Sequence, residues 1–250
     1  MNSKIKKILN KKNKSKIVCL TAYSKSIAKI LDNYCDIILV GDSMANVLYG
    51  LKTTHKLTIE NVIQHTLSVK KGINKSLLIV DMPKDTYNNI KTAEKNAKFI
   101  VKSTGCDAIK IESNKKNFNI IKHLVKKGIP VMGHIGYTPQ FKKSFKVEGS
   151  TLKKTRQLLK EAKFIQNSGA FSIVLECIST KASKYITKKL SIPTIGIGSS
   201  SYCDGQILVT DDMLGLSGFY PKFVKKYANL NRVIAKAVKK YTRDVKLNIF

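Results

Sequence analysis

Short runs of β-branched and other apolar residues recur along this chain, and this recurrence constrains its fold more than any other feature. The runs show no polar alternation, which is typical of strands that are covered on both faces. They predict strands at 16–21, 36–41, 76–81, 108–112, 130–135, 172–177, 193–197 and 206–209. Intervening segments carry apolar residues at three- and four-residue spacing. These segments predict helices, for example at 59–71, 92–104, 116–128, 151–169 and 180–190.

A repeating strand-helix order predicts an α/β fold with parallel strands. Eight repeats within 250 residues favour a closed (β/α)8 TIM barrel over an open doubly wound sheet. The length suits one domain, 1–250, with a single core. Outside the repeats, we expect 1–15 to form a basic N-terminal arm or a short helix, and 222–248 to form a C-terminal helix.

The composition argues against two classes of partner. A formal net charge of +30 would attract polyanions, but the excess is almost entirely lysine and no basic segment is rich in aromatic residues. Nucleic acid is therefore not an expected partner. The sequence has no apolar run as long as a membrane span, and its 5 cysteines lack paired metal-ligand spacing, so we expect a cytoplasmic protein without a membrane partner.

Four acidic residues end predicted strands: Asp42, Asp81, Glu112 and Glu176. Active sites of α/β barrels lie at the carboxyl ends of their strands, so these acids should meet at one rim. The two-residue alternation of a strand puts Lys110 on the same side as Glu112. Three carboxylates from neighbouring strands, Asp42, Asp81 and Glu112, would suit Mg2+.

Each of these residues also has a structural interpretation. A strand-end acid can cap the next helix or pair with a lysine, and Lys110 with Glu112 can be a structural ion pair. His134, which ends the next predicted strand, can be a satisfied structural group. The glycine-rich stretch 195–200 can cradle a phosphate, let a substrate approach the backbone, or turn the chain.

Taken together, these segments resemble one family, the ketopantoate hydroxymethyltransferases. The matching segments are 20–23, 39–43, 110–112, 133–140, 175–177, 195–198, 203–209 and 221–223. The resemblance implies a (β/α)8 barrel of the phosphoenolpyruvate/pyruvate type that assembles as a homodecamer. It also implies transfer of a one-carbon unit from 5,10-methylenetetrahydrofolate to 3-methyl-2-oxobutanoate, giving 2-dehydropantoate for pantothenate synthesis.

The resemblance also implies roles for individual residues. Glu176 corresponds to the general base, and Asp42, Asp81 and Glu112 correspond to the Mg2+ ligands. The positions that correspond to substrate contacts are Asp42, Ser43, Asp81, Lys110 and His134. The chain departs from the family pattern at Ser24, Lys84, Ser113, Asn114 and Asp211.

Two other functions compete with this interpretation. One is a Mg2+-dependent lyase or mutase of the same barrel superfamily, acting on another 2-oxo acid. Such relatives commonly use a loop cysteine, and no comparable cysteine motif occurs here. The other is a basic RNA-binding protein that kept the barrel and lost catalysis, an interpretation that the presence of all four strand-end acids disfavours.

Overall fold

Eight parallel strands form a closed barrel in a computed structural model that describes residues 2–113, 117–142, 144–218 and 220–249. Each strand pairs with the next along the chain, and the last pairs with the first. The strands are β1 (Ile17–Thr21), β2 (Ile37–Val40), β3 (Leu77–Asp81), β4 (Ala108–Glu112), β5 (Val131–Gly136), β6 (Ser172–Glu176), β7 (Thr194–Ile197) and β8 (Gly205–Leu208). The predicted closed barrel is confirmed.

Helices cover the outside of the barrel and fill most of the connections between strands. A 3-10 turn, Thr54–Lys56, precedes the fourth helix. The helices are α1 (Ser3–Asn10), α2 (Lys25–Leu31), α3 (Met44–Val47), α4 (Ile59–Lys70), α5 (Ile90–Thr104), α6 (Phe118–Lys126), α7 (Leu152–Asn167), α8 (Thr180–Lys189), α9 (Thr210–Met213) and α10 (Leu230–Lys246).

Local sequence sets the ends of these helices. Thr58 and Asn61 form a reciprocal capping box at the start of α4. Asn89 caps α5 by accepting a hydrogen bond from the backbone N–H of Thr92, so this helix begins two residues before the predicted position 92. Gly105 ends α5 with φ +62°, a left-handed conformation that glycine adopts without strain.

The apolar residues of the strands divide into two packing layers. On β2, Ile37 and Leu39 belong to the cluster inside the barrel, whereas Ile38 and Val40 belong to the cluster between sheet and helices. This division follows from the alternation of side chains along a strand. Both faces are buried, which explains the absence of polar alternation in the sequence.

Helix α1 closes the end of the barrel from which the strands begin. Its Ile5 and Ile8 are buried in the interior cluster. Beyond the helix, Lys12 Nζ lies 2.8 Å from Asp204 Oδ2 in a largely buried ion pair. The N-terminal segment, expected as an arm or a short helix, thus contains a helix that seals this end and leaves the other end for a site.

The C-terminal helix begins later than the predicted range 222–248, because α10 starts at Leu230 and ends at Lys246. Asn229 caps it by accepting a hydrogen bond from the N–H of Arg232, and Phe223 is held against Gly198 instead of joining the helix. Helix α10 has no buried residue. Within the described ranges, no helix combines the length and apolar character needed to cross a bilayer.

Candidate active site

The strand-end acids contact one another at the carboxyl rim of the barrel. Asp42, just after β2, donates its backbone N–H to Asp81 Oδ2 over 3.0 Å. Lys110 Nζ donates to the other oxygen of Asp81 over 2.5 Å. Lys110 is two residues from Glu112 on β4, and all four side chains are buried. The sequence-based placement of these residues at one rim therefore agrees with the geometry.

Gly41 makes room for this arrangement. A Cβ at Gly41 would lie 3.2 Å from Ser43 Oγ, so a side chain there would crowd this hydroxyl, and it would be in contact with Asp81 Oδ2 at 3.5 Å. The Ser43 hydroxyl in turn lies 2.8 Å from the hydroxyl of Tyr23. The turn after β2 thus brings a hydroxyl close to two carboxylates, and Tyr23, which sequence reasoning did not single out, orients that hydroxyl.

His134 lies between two carboxylates on neighbouring strands. Its Nδ1 is 3.6 Å from Glu112 Oε1, and its Nε2 is 3.1 Å from Glu176 Oε2. Neither ring nitrogen, nor Glu112 Oε1, has a well-directed hydrogen bond in the described part of the chain, although all three atoms are buried. Buried polar atoms normally have partners, so these three are positioned to receive them from a bound ligand.

Burial sets the protonation states of Glu176, Glu112 and His134. It raises the pKa of Glu176 to about 8, against the opposing effect of Lys110. Burial also raises the pKa of Glu112, and the charge of Asp42 raises it further. Burial and the charge of Lys110 hold the pKa of His134 well below its usual range. The imidazole is therefore neutral, and Glu176 has the pKa of a base that can exchange protons near neutrality.

Lys110 and Asp81 form a charged pair at neutral pH. Burial raises the pKa of Asp81 to about 6, while the charge of Lys110 opposes the rise. Burial favours the neutral amine of Lys110, but Asp81, Asp42 and Glu112 together keep its pKa above the usual value. A fixed cation at the rim can pair with the carboxylate of a small acid.

Gln140 connects the acids, and sequence reasoning assigned it no role although it lies in the matching segment 133–140. Its backbone N–H donates to Glu112 Oε2 over 3.0 Å, and its side-chain Nε2 donates to Asp42 Oδ2 over 3.0 Å and to Met82 O over 3.1 Å. Its Oε1 accepts from the Tyr87 hydroxyl. One buried residue therefore orients carboxylates from two strands, Asp42 through its side chain and Glu112 through its backbone.

The donor set suits a hard divalent cation. Carboxylate oxygens come from Asp42, Asp81 and Glu112. One of them, Glu112 Oε1, is buried without a hydrogen-bond partner among the described residues. Across the described residues, no group of three or more Asp, Glu, His or Cys side chains is arranged to hold a metal ion. Mg2+ is commonly held by one or two carboxylates together with water and substrate oxygens, so an incomplete protein shell agrees with its chemistry.

Other matching segments have structural positions. Asp204 lies at the opposite end of the barrel, where its carboxylate accepts hydrogen bonds from the Thr194 backbone and from Lys12. In the glycine-rich stretch, Ser199 bonds to Leu175 O and to the N–H of Ile178. Because residues 195–197 belong to β7, these internal bonds favour a chain turn at 198–200.

Lys84 is one of the departures from the family pattern. Its Nζ lies 3.1 Å from His55 Nδ1, and His55 Nε2 lies 3.2 Å from Pro139 O. The substitution at Lys84 thus joins loops that follow different strands at the rim. Ser113 directly follows β4 and is buried, whereas Asn114 lies outside the described residues.

These features define the chain as a (β/α)8 barrel with a carboxylate-rich site at the carboxyl ends of its strands. Two solved structures share the fold: phosphoenolpyruvate phosphomutase from Streptomyces platensis subsp. rosaceus (TM-score 0.65, 12% identity, 98% of this chain and 88% of that chain), and phosphonopyruvate hydrolase in complex with oxalate and Mg2+ (TM-score 0.62, 10% identity, 99% and 88%). Both show the same barrel fold as this chain.

Residues 2–250 match the family model for ketopantoate hydroxymethyltransferase. The 3-methyl-2-oxobutanoate hydroxymethyltransferase of Pelagibacter ubique (strain HTCC1062) is 50% identical over 245 residues, which cover 98% of this chain and 95% of the relative. The chain therefore belongs to the ketopantoate hydroxymethyltransferase family, a family of transferases, as the sequence segments predicted.

Proposed function

We propose that this protein transfers a hydroxymethyl group from 5,10-methylenetetrahydrofolate to 3-methyl-2-oxobutanoate, giving 2-dehydropantoate, and that it requires Mg2+. The names of its relatives support the reaction and its place in pantothenate synthesis. The observation that carries the proposal is the proximity of the Glu176 carboxylate to the neutral His134, on a rim that also holds the charged Lys110.

Lys110 pairs with the carboxylate of the 2-oxo acid, since its charge is fixed beside Asp81. The Ser43 hydroxyl and the His134 ring provide further polar contacts to the substrate. Asp42, Asp81 and Glu112 would hold Mg2+. When bound, Mg2+ supplies Lewis-acid stabilisation of the negative charge that develops on the keto oxygen.

Glu176 removes the proton from C3 of the 2-oxo acid. Its side chain is 15% exposed, so it can reach a ligand at the rim while remaining mostly out of water. His134 Nε2 lies 3.1 Å from this carboxylate. The carbon nucleophile then bonds to the one-carbon unit of the folate, and water supplies the oxygen of the product hydroxyl. The bonds from this carbon to the two folate nitrogens break, and tetrahydrofolate leaves with both nitrogens protonated; these protons and the hydroxyl hydrogen come from C3 and from water.

Hydrogen exchange at C3 tests this role. With Mg2+ and without folate, the protein is expected to exchange the C3 hydrogen of 3-methyl-2-oxobutanoate for deuterium, measured by NMR. Glu176→Gln should slow the exchange by roughly 100-fold or more, because a positioned base contributes about that much. Glu161→Gln, the same change on the outer helix α7, is the matched control. Equal exchange by the Glu176 and Glu161 variants would remove Glu176 from the role of base.

No specific observation favours either of the two competing functions. All five cysteines, at 19, 35, 106, 177 and 203, are buried, which disfavours an exposed catalytic thiol of the lyase type. A non-catalytic RNA-binding protein would not need the unsatisfied polar atoms of Glu112 and His134 at the rim.

We also propose that the protein is a homo-oligomer, with the homodecamer of the family as the expected form. The support is α10, whose apolar residues include Val233, Ile234, Val238 and Tyr241, each at least 50% exposed. An exposed apolar stripe of this kind is typical of a surface that a second subunit covers.

A cytoplasmic location remains a prediction from the composition.

A further inference from the structure

Three aromatic side chains, Tyr137, Phe145 and Phe223, form a continuous group at the rim beside Glu176; we call it the aromatic platform. The ring centroids of Tyr137 and Phe145 lie 4.8 Å apart. Phe145 and Phe223 stack with centroids 5.9 Å apart and 13° between their planes. The backbone N–H of Tyr137 donates to Glu176 O over 2.9 Å, so the platform is attached directly to the strand end that carries the proposed base.

The other end of the platform is attached to β7. A Cβ at Gly198 would lie 2.6 Å from the ring of Phe223, so only a residue without a side chain lets the ring pack there. Gly198 also has φ +56°, which glycine adopts without strain. It directly follows Ile197, the residue of β7 that pairs in register with Glu176. The platform therefore spans from β5 to β7 across the end of β6.

The platform is bonded to the backbone of Glu176 through Tyr137 and is open to solvent at Phe145. Phe145 is 51% exposed. The lysines next to the rings in sequence, Lys146 and Lys222, are also exposed. An exposed ring with exposed lysines adjacent to the platform in sequence suits a ligand that combines a planar conjugated ring with carboxylates, since the ring can stack and the carboxylates can pair with ammonium groups.

We propose that the aromatic platform binds the folate co-substrate, with Phe145 stacking on its pteridine or aminobenzoyl ring and Lys146 and Lys222 attracting its glutamate carboxylates. The inference rests on the proposed function, which supplies the folate. A folate held there brings its one-carbon unit to the side of the 2-oxo acid from which Glu176 takes the C3 proton.

Phe145→Ala tests the platform. It should raise the KM for 5,10-methylenetetrahydrofolate roughly 5- to 100-fold, the range expected for loss of one stacking contact, and should leave the KM for the 2-oxo acid within about twofold. Phe145→Tyr should restore the folate KM, because it keeps a ring. The matched control is Phe99→Ala on α5, since Phe99 is 50% exposed and lies on the outside of the barrel. The C3 exchange rate is also measured without folate in each preparation. Every rate of product formation is divided by it, which corrects for differences in the amount of folded enzyme with an active base.

The lysines are tested separately through ionic strength. Added salt should raise the folate KM of the unchanged protein more than that of the Lys146→Ala, Lys222→Ala double variant, because screening weakens these contacts. A salt response that is identical in both proteins would overturn the lysine assignment.

The outcomes separate this inference from the proposed function. If the unchanged protein exchanges C3 hydrogen but forms no product with the folate, the folate donor is wrong and the platform proposal fails with it. If product forms and Phe145→Ala changes the folate KM by less than twofold, or no more than Phe99→Ala does, the platform alone is overturned.

Discussion

Gln140 connects several parts of the rim, because it bonds to Asp42, Glu112, Met82 O and Tyr87. Groups that orient metal-binding carboxylates commonly contribute 10- to 100-fold to metal affinity or activity. We expect Gln140→Leu to raise the Mg2+ concentration that half-saturates C3 exchange by about that factor. The Leu side chain has a similar size and lacks the amide.

Gln157→Leu provides the control for this prediction, because Gln157 is an exposed residue of α7 that bonds only locally to Glu161. The measurement is the C3 exchange rate as a function of Mg2+ concentration. An unchanged Mg2+ requirement in Gln140→Leu would show that the amide does not orient Asp42 for the metal.

The pH dependence of C3 exchange follows from the protonation of Glu176. Its pKa is raised to about 8, chiefly by burial, and only the unprotonated carboxylate can accept the C3 proton. Exchange should therefore increase as the pH rises from about 6 to about 8, because a cation bound at the rim lowers the pKa of nearby acids by no more than about two units from that value. A rate that is flat or falling between about pH 6 and pH 8 would contradict Glu176 as the base.

Sequence reasoning found the strand-end acids because the period of a strand and the geometry of a barrel together fix where such side chains point. It gave no role to Gln140 or Tyr23, because their contacts depend on loop conformation and on residues distant in sequence. The motif around Asp204 shows that a segment matching the family can lie outside the site. It matches the family well, yet Asp204 bonds to Lys12 and Thr194 at the closed end of the barrel.

At the scale of elements, the strands were the most predictable feature. The prediction 16–21 became Ile17–Thr21, and 206–209 became Gly205–Leu208. Buried parallel strands give short, unbroken apolar runs, and only their ends depend on hydrogen-bond geometry. The start of α10 was predicted too early, at 222, because lysines and apolar residues continue through 222–229 while contacts to the barrel rim hold Phe223.

The apolar stripe of α10 leads to a prediction about assembly. Ile234→Ser with Val238→Ser should shift the protein to a smaller oligomer, measured by sedimentation velocity, because both side chains are at least 50% exposed and would lose apolar contact with a second subunit. Lys236→Ser with Lys239→Ser on the same helix is the control. If the first pair leaves the sedimentation coefficient unchanged, α10 does not form the subunit contact.

At the scale of the whole molecule, one end of the barrel is structural and the other carries the candidate active site. Helix α1 and the Lys12–Asp204 pair close one end with apolar packing and a buried ion pair. The other end gathers the carboxylates, Lys110 and His134. Chain order could be converted into spatial order because each strand of a closed barrel lies beside the next, so a one-dimensional pattern of acids predicted a three-dimensional cluster.

The central claim is that Asp42, Asp81 and Glu112 hold a divalent cation while Glu176 faces C3 of the 2-oxo acid. A crystal structure with Mn2+ in place of Mg2+ and with 3-methyl-2-oxobutanoate tests it most directly, because anomalous scattering locates the metal. We predict an anomalous peak within coordination distance of at least two of the three acids, with the substrate carboxylate toward Lys110 and its C3 toward Glu176. A metal bound elsewhere, or a substrate whose C3 points away from Glu176, would contradict the account.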